Sequence, residues 1–265
     1  MDITMNTAVM KAESADGTLI ACERRGSGPA LVMVGGALCT AASDAPLAEL
    51  LAPRFSVFTY DRRGRGASGD TAPYSVGREI EDLAAVIGAA GGHATVHGTS
   101  SGAVLALRAA AAGLPITHLS VYEPPFETDP AATQATPRTR AGRRPSSPQA
   151  GGGDAVAAFL AATGMSEGAV DGLRLLPLWS GMEALAHTLA YDYEVMGDGM
   201  VPTALLASVT ARVMVVDGGA SPAGMRDVAR AVATALPHGH HRTLTGQTHE
   251  VAPHVLAPTL VRFFA

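Results

Sequence analysis

Apolar positions along this chain switch repeatedly between short strand-like runs and stretches with helical spacing. Ala30–Val34 (Ala-Leu-Val-Met-Val) is continuously apolar, as suits a strand covered on both faces of a parallel sheet. Before it, Met10–Ser14 and Leu19–Arg24 read as two strands joined by a hairpin turn at Asp16-Gly17, after a loose start over residues 1–10. Pro46–Leu51 reads as a short helix and Phe55–Tyr60 as a strand. From Glu79 to Gly88, Ile80, Leu83 and Ile87 form one stripe with Glu79, Glu81 and Asp82 opposite, which predicts an amphipathic helix stopped by Gly91-Gly92. Ala103–Ala112 is apolar almost all round, as in a buried helix, and Leu119–Tyr122 is the next strand. Helical stretches follow at Asp154–Thr163, Glu167–Leu175 and Met182–Tyr191. The alternation then resumes with a strand at Arg212–Val216, a helix at Asp227–Leu236, a strand at His241–Leu244 and a closing helix at Leu256–Phe264. Strands alternating with helices in this way predict an α/β fold around a mostly parallel sheet.

One junction in this pattern carries chemistry. In Thr95–Val104 a β-branched run enters Gly98-Thr99-Ser100-Ser101-Gly102 and leaves as a helix. Gly-x-Ser-x-Gly at a strand-to-helix turn holds its middle serine out at the tip, and the frame selects Ser100, because Ser101 would need glycines at Thr99 and Ala103. Side chains at Gly98 or Gly102 would clash where strand and helix backbones pass. Ser101 supplies the backbone N–H that follows the serine, at a helix N-terminus, where negative charge is stabilised. Gly35-Gly36-Ala37 at the end of Ala30–Val34 offers a second such donor, Gly36 or Ala37; taken alone, an ordinary strand-to-loop turn fits equally well. Glu123, ahead of Pro124-Pro125, stands at a strand tip on the same edge, as does Asp217 before Gly218-Gly219. His249 follows the last strand. The charged turn Asp61-Arg62-Arg63-Gly64-Arg65-Gly66 is read as structural, held by Asp61 and arginine hydrogen bonds, rather than as an anion clamp. His238, His240 and His241 lack zinc-ligand spacing and read as a polar loop, so no metal is implied.

Composition narrows the setting. The 265 residues carry a formal net charge of -5 with no evident basic face, which argues against a nucleic-acid partner. Cys22 and Cys39 give no disulfide framework, and Cys39 reads as a packing residue. Neither a signal peptide nor a membrane-length apolar run is found, so a soluble cytoplasmic protein with no membrane partner is expected. Residues 127–153, rich in Pro, Thr, Ser, Gly and Arg, read as a mobile loop.

Taken together, Gly35-Gly36, the Asp61…Gly64…Gly66…Ser68 turn, the Gly98–Gly102 elbow and the Gly246…His249 loop resemble the α/β-hydrolase family over nearly the whole chain. The resemblance implies a core of residues 1–125 and 205–265 with a helical cap over 126–204, and an active site between them. It also implies the order serine, acid, histidine: Ser100 as nucleophile, His249 as general base and an acid that orients the imidazole. The commonest family pattern puts that acid where this chain has Ser221-Pro222. Glu123 is preferred, in a placement similar to the zearalenone-type lactonases, with Asp217 as the alternative. The same likeness turns Trp179 toward the substrate, although a core tryptophan fits equally well. The family's usual His-Gly oxyanion motif is here Gly35-Gly36, which retains the backbone donors. A serine at position 100 argues against the epoxide-hydrolase and dehalogenase branches. The expected activity is cofactor-free hydrolysis of a small hydrophobic ester, lactone or thioester through acyl-Ser100. The alternative is a ligand-binding or non-hydrolytic protein (perhydrolase, lyase or cyclase-type) on the same scaffold.

Overall fold

The computed structural model describes residues 7–129 and 151–265. Their strands are β1 (Ala8–Glu13), β2 (Leu19–Arg25), β3 (Ala30–Val34), β4 (Ser56–Tyr60), β5 (Ala94–Thr99), β6 (Ile116–Tyr122), β7 (Arg212–Gly218) and β8 (Gly239–Leu244). They form one eight-stranded sheet in the order β1-β2-β4-β3-β5-β6-β7-β8. β2 runs antiparallel to β1 and β4, and every later pairing is parallel. Gly17, at φ 80°, turns the β1–β2 hairpin. The helices are α1 (Ala45–Leu51), α2 (Val76–Ala89), α3 (Ser101–Ala111), α4 (Gly152–Ala162), α5 (Glu167–Arg174), α6 (Leu178–Ala184), α7 (Leu189–Met196), α8 (Thr203–Leu206), α9 (Ala223–Ala235) and α10 (Pro253–Phe264).

The continuous apolar character of β3 has a direct cause, since both its faces are covered. Val32 and Val34 join a core with Leu83 and Val86 of α2, Leu105 of α3 and Val232 of α9. Leu31 and Met33 face the other way, against Leu47 and Leu51 of α1 and Leu256 and Leu260 of α10. β3 pairs with β4 on one side and β5 on the other, so the winding direction reverses there. A crevice opens beyond the carboxyl ends of the strands at such a reversal, and Gly35 and Ser100 both stand at it.

The predicted elements are all present, with differences that have physical causes. The loose start at residues 1–10 gives way to β1 from Ala8, which finds a partner in β2. α2 begins at Val76 because Ser75 caps it, accepting a hydrogen bond from the Arg78 amide at 3.3 Å. Its acidic stripe is not a solvated face. Glu79 and Asp82 are buried because Arg62 and Arg63 reach them, while Glu81 stays outside. The helix expected at Met182–Tyr191 is broken: α6 ends at Ala184, Ala186–Thr188 forms a 3₁₀ turn, and α7 starts at Leu189. The break redirects α7 so that Asp192 points into the core. The loop expected at 127–153 lies outside the described residues apart from its two ends. No helix among the described residues is long and apolar enough to cross a membrane.

Candidate active site

β5 delivers Ser100 in a conformation few residues adopt, with φ 54° and ψ -125° immediately before α3. Backbone in that region is strained and persists only where its surroundings fix it. The surroundings here leave no room: a Cβ on Gly98 would stand 2.7 Å from the Gly102 carbonyl oxygen, and one on Gly102 would collide with the carbonyl of Val34. Gly36 is close as well but less tightly held, since a Cβ on it would lie 3.1 Å from the Cβ of Ser100.

Ser100, Gly36, Ala37 and His249 line a single cavity of about 920 Å³. Its walls carry Leu47, Phe159, Leu160, Met165, Leu185 and Leu256, with Asp44 and Glu250 as acidic lining residues. Phe159, Leu160 and Met165 come from α4 and its C-terminal turn, so the segment between β6 and β7 forms part of the wall. Cys39 also lines it, and burial pushes its thiol up to about 11, which suits packing rather than nucleophilic chemistry.

Glu123 contacts the His249 ring. Its Oε2 lies 2.8 Å from His249 Nδ1, and its Oε1 accepts the Gly218 N–H at 2.8 Å. A positive φ of 44° at the strand end turns Glu123 inward, and its own N–H donates to Val216 of β7. Burial alone would raise the Glu123 carboxyl. The His249 ring, the Ser221 hydroxyl and the Gly218 N–H outweigh it and hold the group below its ordinary value. The serine at position 221 thus faces the carboxylate from β6. The His249 loop is tied down by Tyr122, whose hydroxyl donates to the Thr248 carbonyl, and by Gln247, which accepts the Ala252 N–H at 2.9 Å.

Other residues singled out in the sequence stand elsewhere. Asp217 is fully buried at the end of β7, on the opposite sheet face from Gly218, and its Oδ1 lies 3.3 Å from His241 Nε2 rather than against His249. Trp179 is a core residue: it packs in α6 against Val156, Leu160 and Val170, with the Arg174 guanidinium 4.8 Å from its ring centroid. Its neighbours Leu178 and Met182 line the cavity in its place. His240 and His241 belong to β8 rather than to a loop and alternate across the sheet, so they do not converge. Among the described residues no group of three potential ligands is placed to hold a metal ion.

The arginine turn is structural, as expected, and Asp61 and the arginines hold it through partners elsewhere in the chain. Asp61 bonds no arginine; it accepts the Ala41 and Ala67 amides, each at 2.8 Å. Arg62, Arg63 and Arg65 are almost completely buried. Arg63 forks onto Asp82 and reaches Asp16, which ties the turn to α2 and the β1–β2 hairpin. Arg62 forks onto Glu79 and donates to Asp192 and to the Gly35 carbonyl. Arg65 donates to both oxygens of Asp192 and to the Gly36 carbonyl. The Asp61–Gly66 run announced a turn, but nothing around Asp192 in the sequence signalled its partners.

The fold is shared with known structures. Coordinates of an alpha/beta hydrolase from Sphaerobacter thermophilus superpose with a TM-score of 0.86 at 51% identity, covering 97% of this chain and 100% of that one. A hydrolase from Pseudomonas aeruginosa (TM-score 0.75, 21% identity, 97% and 98% covered) and a thermophilic esterase from Thermogutta terrifontis (0.72, 18%, 97% and 98%) share the fold. Comparison with curated proteins gives no match. The model of the alpha/beta hydrolase family matches residues 31–261. An eight-stranded sheet with a strained serine at the β5–α3 turn thus has its explanation in descent: the chain belongs to the alpha/beta hydrolase family.

Proposed function

We propose that this protein is a serine hydrolase that cleaves a carboxylic ester, lactone or thioester through an acyl-Ser100 intermediate. The observation that carries the reading is the 2.8 Å contact between Glu123 Oε2 and His249 Nδ1, behind a cavity that Ser100 and His249 line together. Glu123 keeps the His249 proton on Nδ1 and stabilises the imidazolium, leaving Nε2 free to accept a proton. In acylation His249 takes the Ser100 hydroxyl proton as Oγ attacks the carbonyl carbon. The carbonyl π-electrons move to oxygen, where the Ser101 N–H and that of Gly36 or Ala37 stabilise the negative charge. Collapse expels the alcohol or thiol, which leaves with the proton held by His249. Water then repeats the sequence on the acyl-enzyme and releases the acid.

The helices between β6 and β7 act as a cap, in a division of the chain into a core of 1–125 and 205–265 and a cap of 126–204. Support comes from Phe159, Leu160 and Met165, which reach the cavity from that segment. The same apolar side chains favour a mainly hydrophobic substrate. The esterase named among the structural neighbours is consistent with ester chemistry.

The test is labelling by an alkyl fluorophosphonate, alongside turnover of p-nitrophenyl esters of increasing chain length and of macrolactones. Wild type is expected to label and turn over, and Ser100→Ala to do neither. A folded wild type that fails to label would overturn the reading in favour of a binding role.

A further inference from the structure

Asp192 lies on α7, between β6 and β7, yet its carboxylate sits behind both halves of the expected oxyanion hole. On one side it accepts the Ser101 hydroxyl at 2.7 Å, and Ser101 is the residue whose N–H follows the nucleophile. On the other it accepts two hydrogen bonds from Arg65, each 2.8 Å, while a second Arg65 nitrogen donates to the Gly36 carbonyl. Arg62 repeats the arrangement one residue earlier, bridging Asp192 at 2.8 Å and the Gly35 carbonyl at 3.4 Å. Asp192, Arg62 and Arg65 are each about 1% exposed, so water does not compete for these bonds.

The consequence follows from peptide geometry. In a trans peptide the C=O of one residue and the N–H of the next point in opposite directions. A Gly36 carbonyl held toward buried Arg65 therefore turns the Ala37 N–H the other way, toward the cavity that Gly36 and Ala37 line. The Cys39 N–H also donates to this carbonyl, at 3.3 Å, so the backbone turn gives it one partner and the charged Arg65 a second, shorter and stronger one. Burial alone would raise the Asp192 carboxyl, but Arg65 and Arg62 keep it below its ordinary value, so the bridge is ionic.

We infer that Asp192 is a positioning residue for the oxyanion hole: through Arg65 it aims the Ala37 N–H, and through the Ser101 hydroxyl it fixes the start of α3, so that one carboxylate of the β6–β7 segment sets both donors. This rests on the serine-hydrolase reading above, selects Ala37 over Gly36 as the second donor, and makes α7 part of the site rather than only a cover. The oxyanion held is that of an ester-derived tetrahedral intermediate.

The experiment measures kcat and KM on a p-nitrophenyl ester for wild type, Asp192→Asn, Arg65→Lys and Ser101→Ala. It also measures affinity for an aryl trifluoromethyl ketone, which forms a tetrahedral adduct, and the amide NMR shift of Ala37. Misaiming one donor is expected to lower kcat by about 10- to 1,000-fold, with KM within about twofold and ketone affinity falling in parallel. The Ala37 amide shift should move in Asp192→Asn and Arg65→Lys. Ser101→Ala leaves the arginine cluster intact and serves if the charge variants fail to fold; it should lower kcat less than they do, with KM again held. Folded variants with wild-type kcat and an unmoved Ala37 amide would overturn the inference, as would raised KM with unchanged kcat. A wild type that neither turns over nor labels at Ser100 would instead sink the hydrolase reading, and the Ala37 shift would still decide the positioning claim.

Discussion

Replacing Glu123 by glutamine tests the core of the proposed chemistry with almost no change in volume. Glu123 is 1% exposed and has two obligations, accepting the Gly218 N–H through Oε1 and meeting His249 Nδ1 through Oε2. A glutamine keeps the first bond only if its oxygen takes the Oε1 position, and its NH2 then faces Nδ1. An NH2 donates, so Nδ1 must present its lone pair and the ring proton moves to Nε2. That tautomer cannot accept a proton from Ser100. The wrong tautomer in a triad of this kind costs about 10⁴ in kcat, or about 5.4 kcal/mol at 1.36 kcal/mol per decade. The opposite amide orientation faces two donors, NH2 and the Gly218 N–H, against each other and leaves both unsatisfied. The assay is kcat on a p-nitrophenyl ester between pH 6 and 8, corrected for background hydrolysis, with melting curves to verify the fold. Asp217→Asn is the control, because Asp217 faces His241 and not His249. Its kcat is expected within about threefold of wild type. Glu123→Gln at more than about a tenth of wild-type kcat, or an equal loss in Asp217→Asn, would refute the reasoning.

The other predictions concern residues in and around the site. Burial raises the Asp44 carboxyl from 3.8 to about 7, so the folded state holds its proton more tightly than the unfolded chain and loses stability as pH rises between those values. Asp44→Asn should therefore be more stable than wild type at pH 8, by no more than about 4 kcal/mol in urea unfolding, and no more stable than wild type at pH 3; an equal gain at both would refute it. Gly102→Ala should lose at least about 2 kcal/mol in urea unfolding, because its Cβ meets the backbone carbonyls of Val34 and Gly35 rather than a side chain that can move. Trp179→Ala should lower stability by about 3 kcal/mol while KM for small esters stays within about twofold, and a large KM change with normal melting would return Trp179 to the cavity.

The sequence by itself determined the sheet and the elbow, because both are local in cause. Strand and helix periods, the Asp16-Gly17 turn and the Gly98–Gly102 spacing each act within a few residues, and continuously apolar strands need cover on both faces, which makes the sheet mostly parallel. It also put Ser100, two candidate acids and His249 at strand ends on one edge. Tertiary structure alone decided which acid meets the ring, since that depends on the inward turn of Glu123 at φ 44° and on the sheet face that Asp217 takes. It alone buried Glu79 and Asp82 on the side of α2 that the helical period had assigned to water, because buried arginines elsewhere in the chain reach them. Asp192 is the clearest instance. Its partners Ser101 and Arg62 lie 91 and 130 residues away, and a contact across such distances leaves no periodic trace in one sequence. Hydrophobic period is written along the chain, whereas charge pairing in a buried site is written only in the packing that brings the charges together.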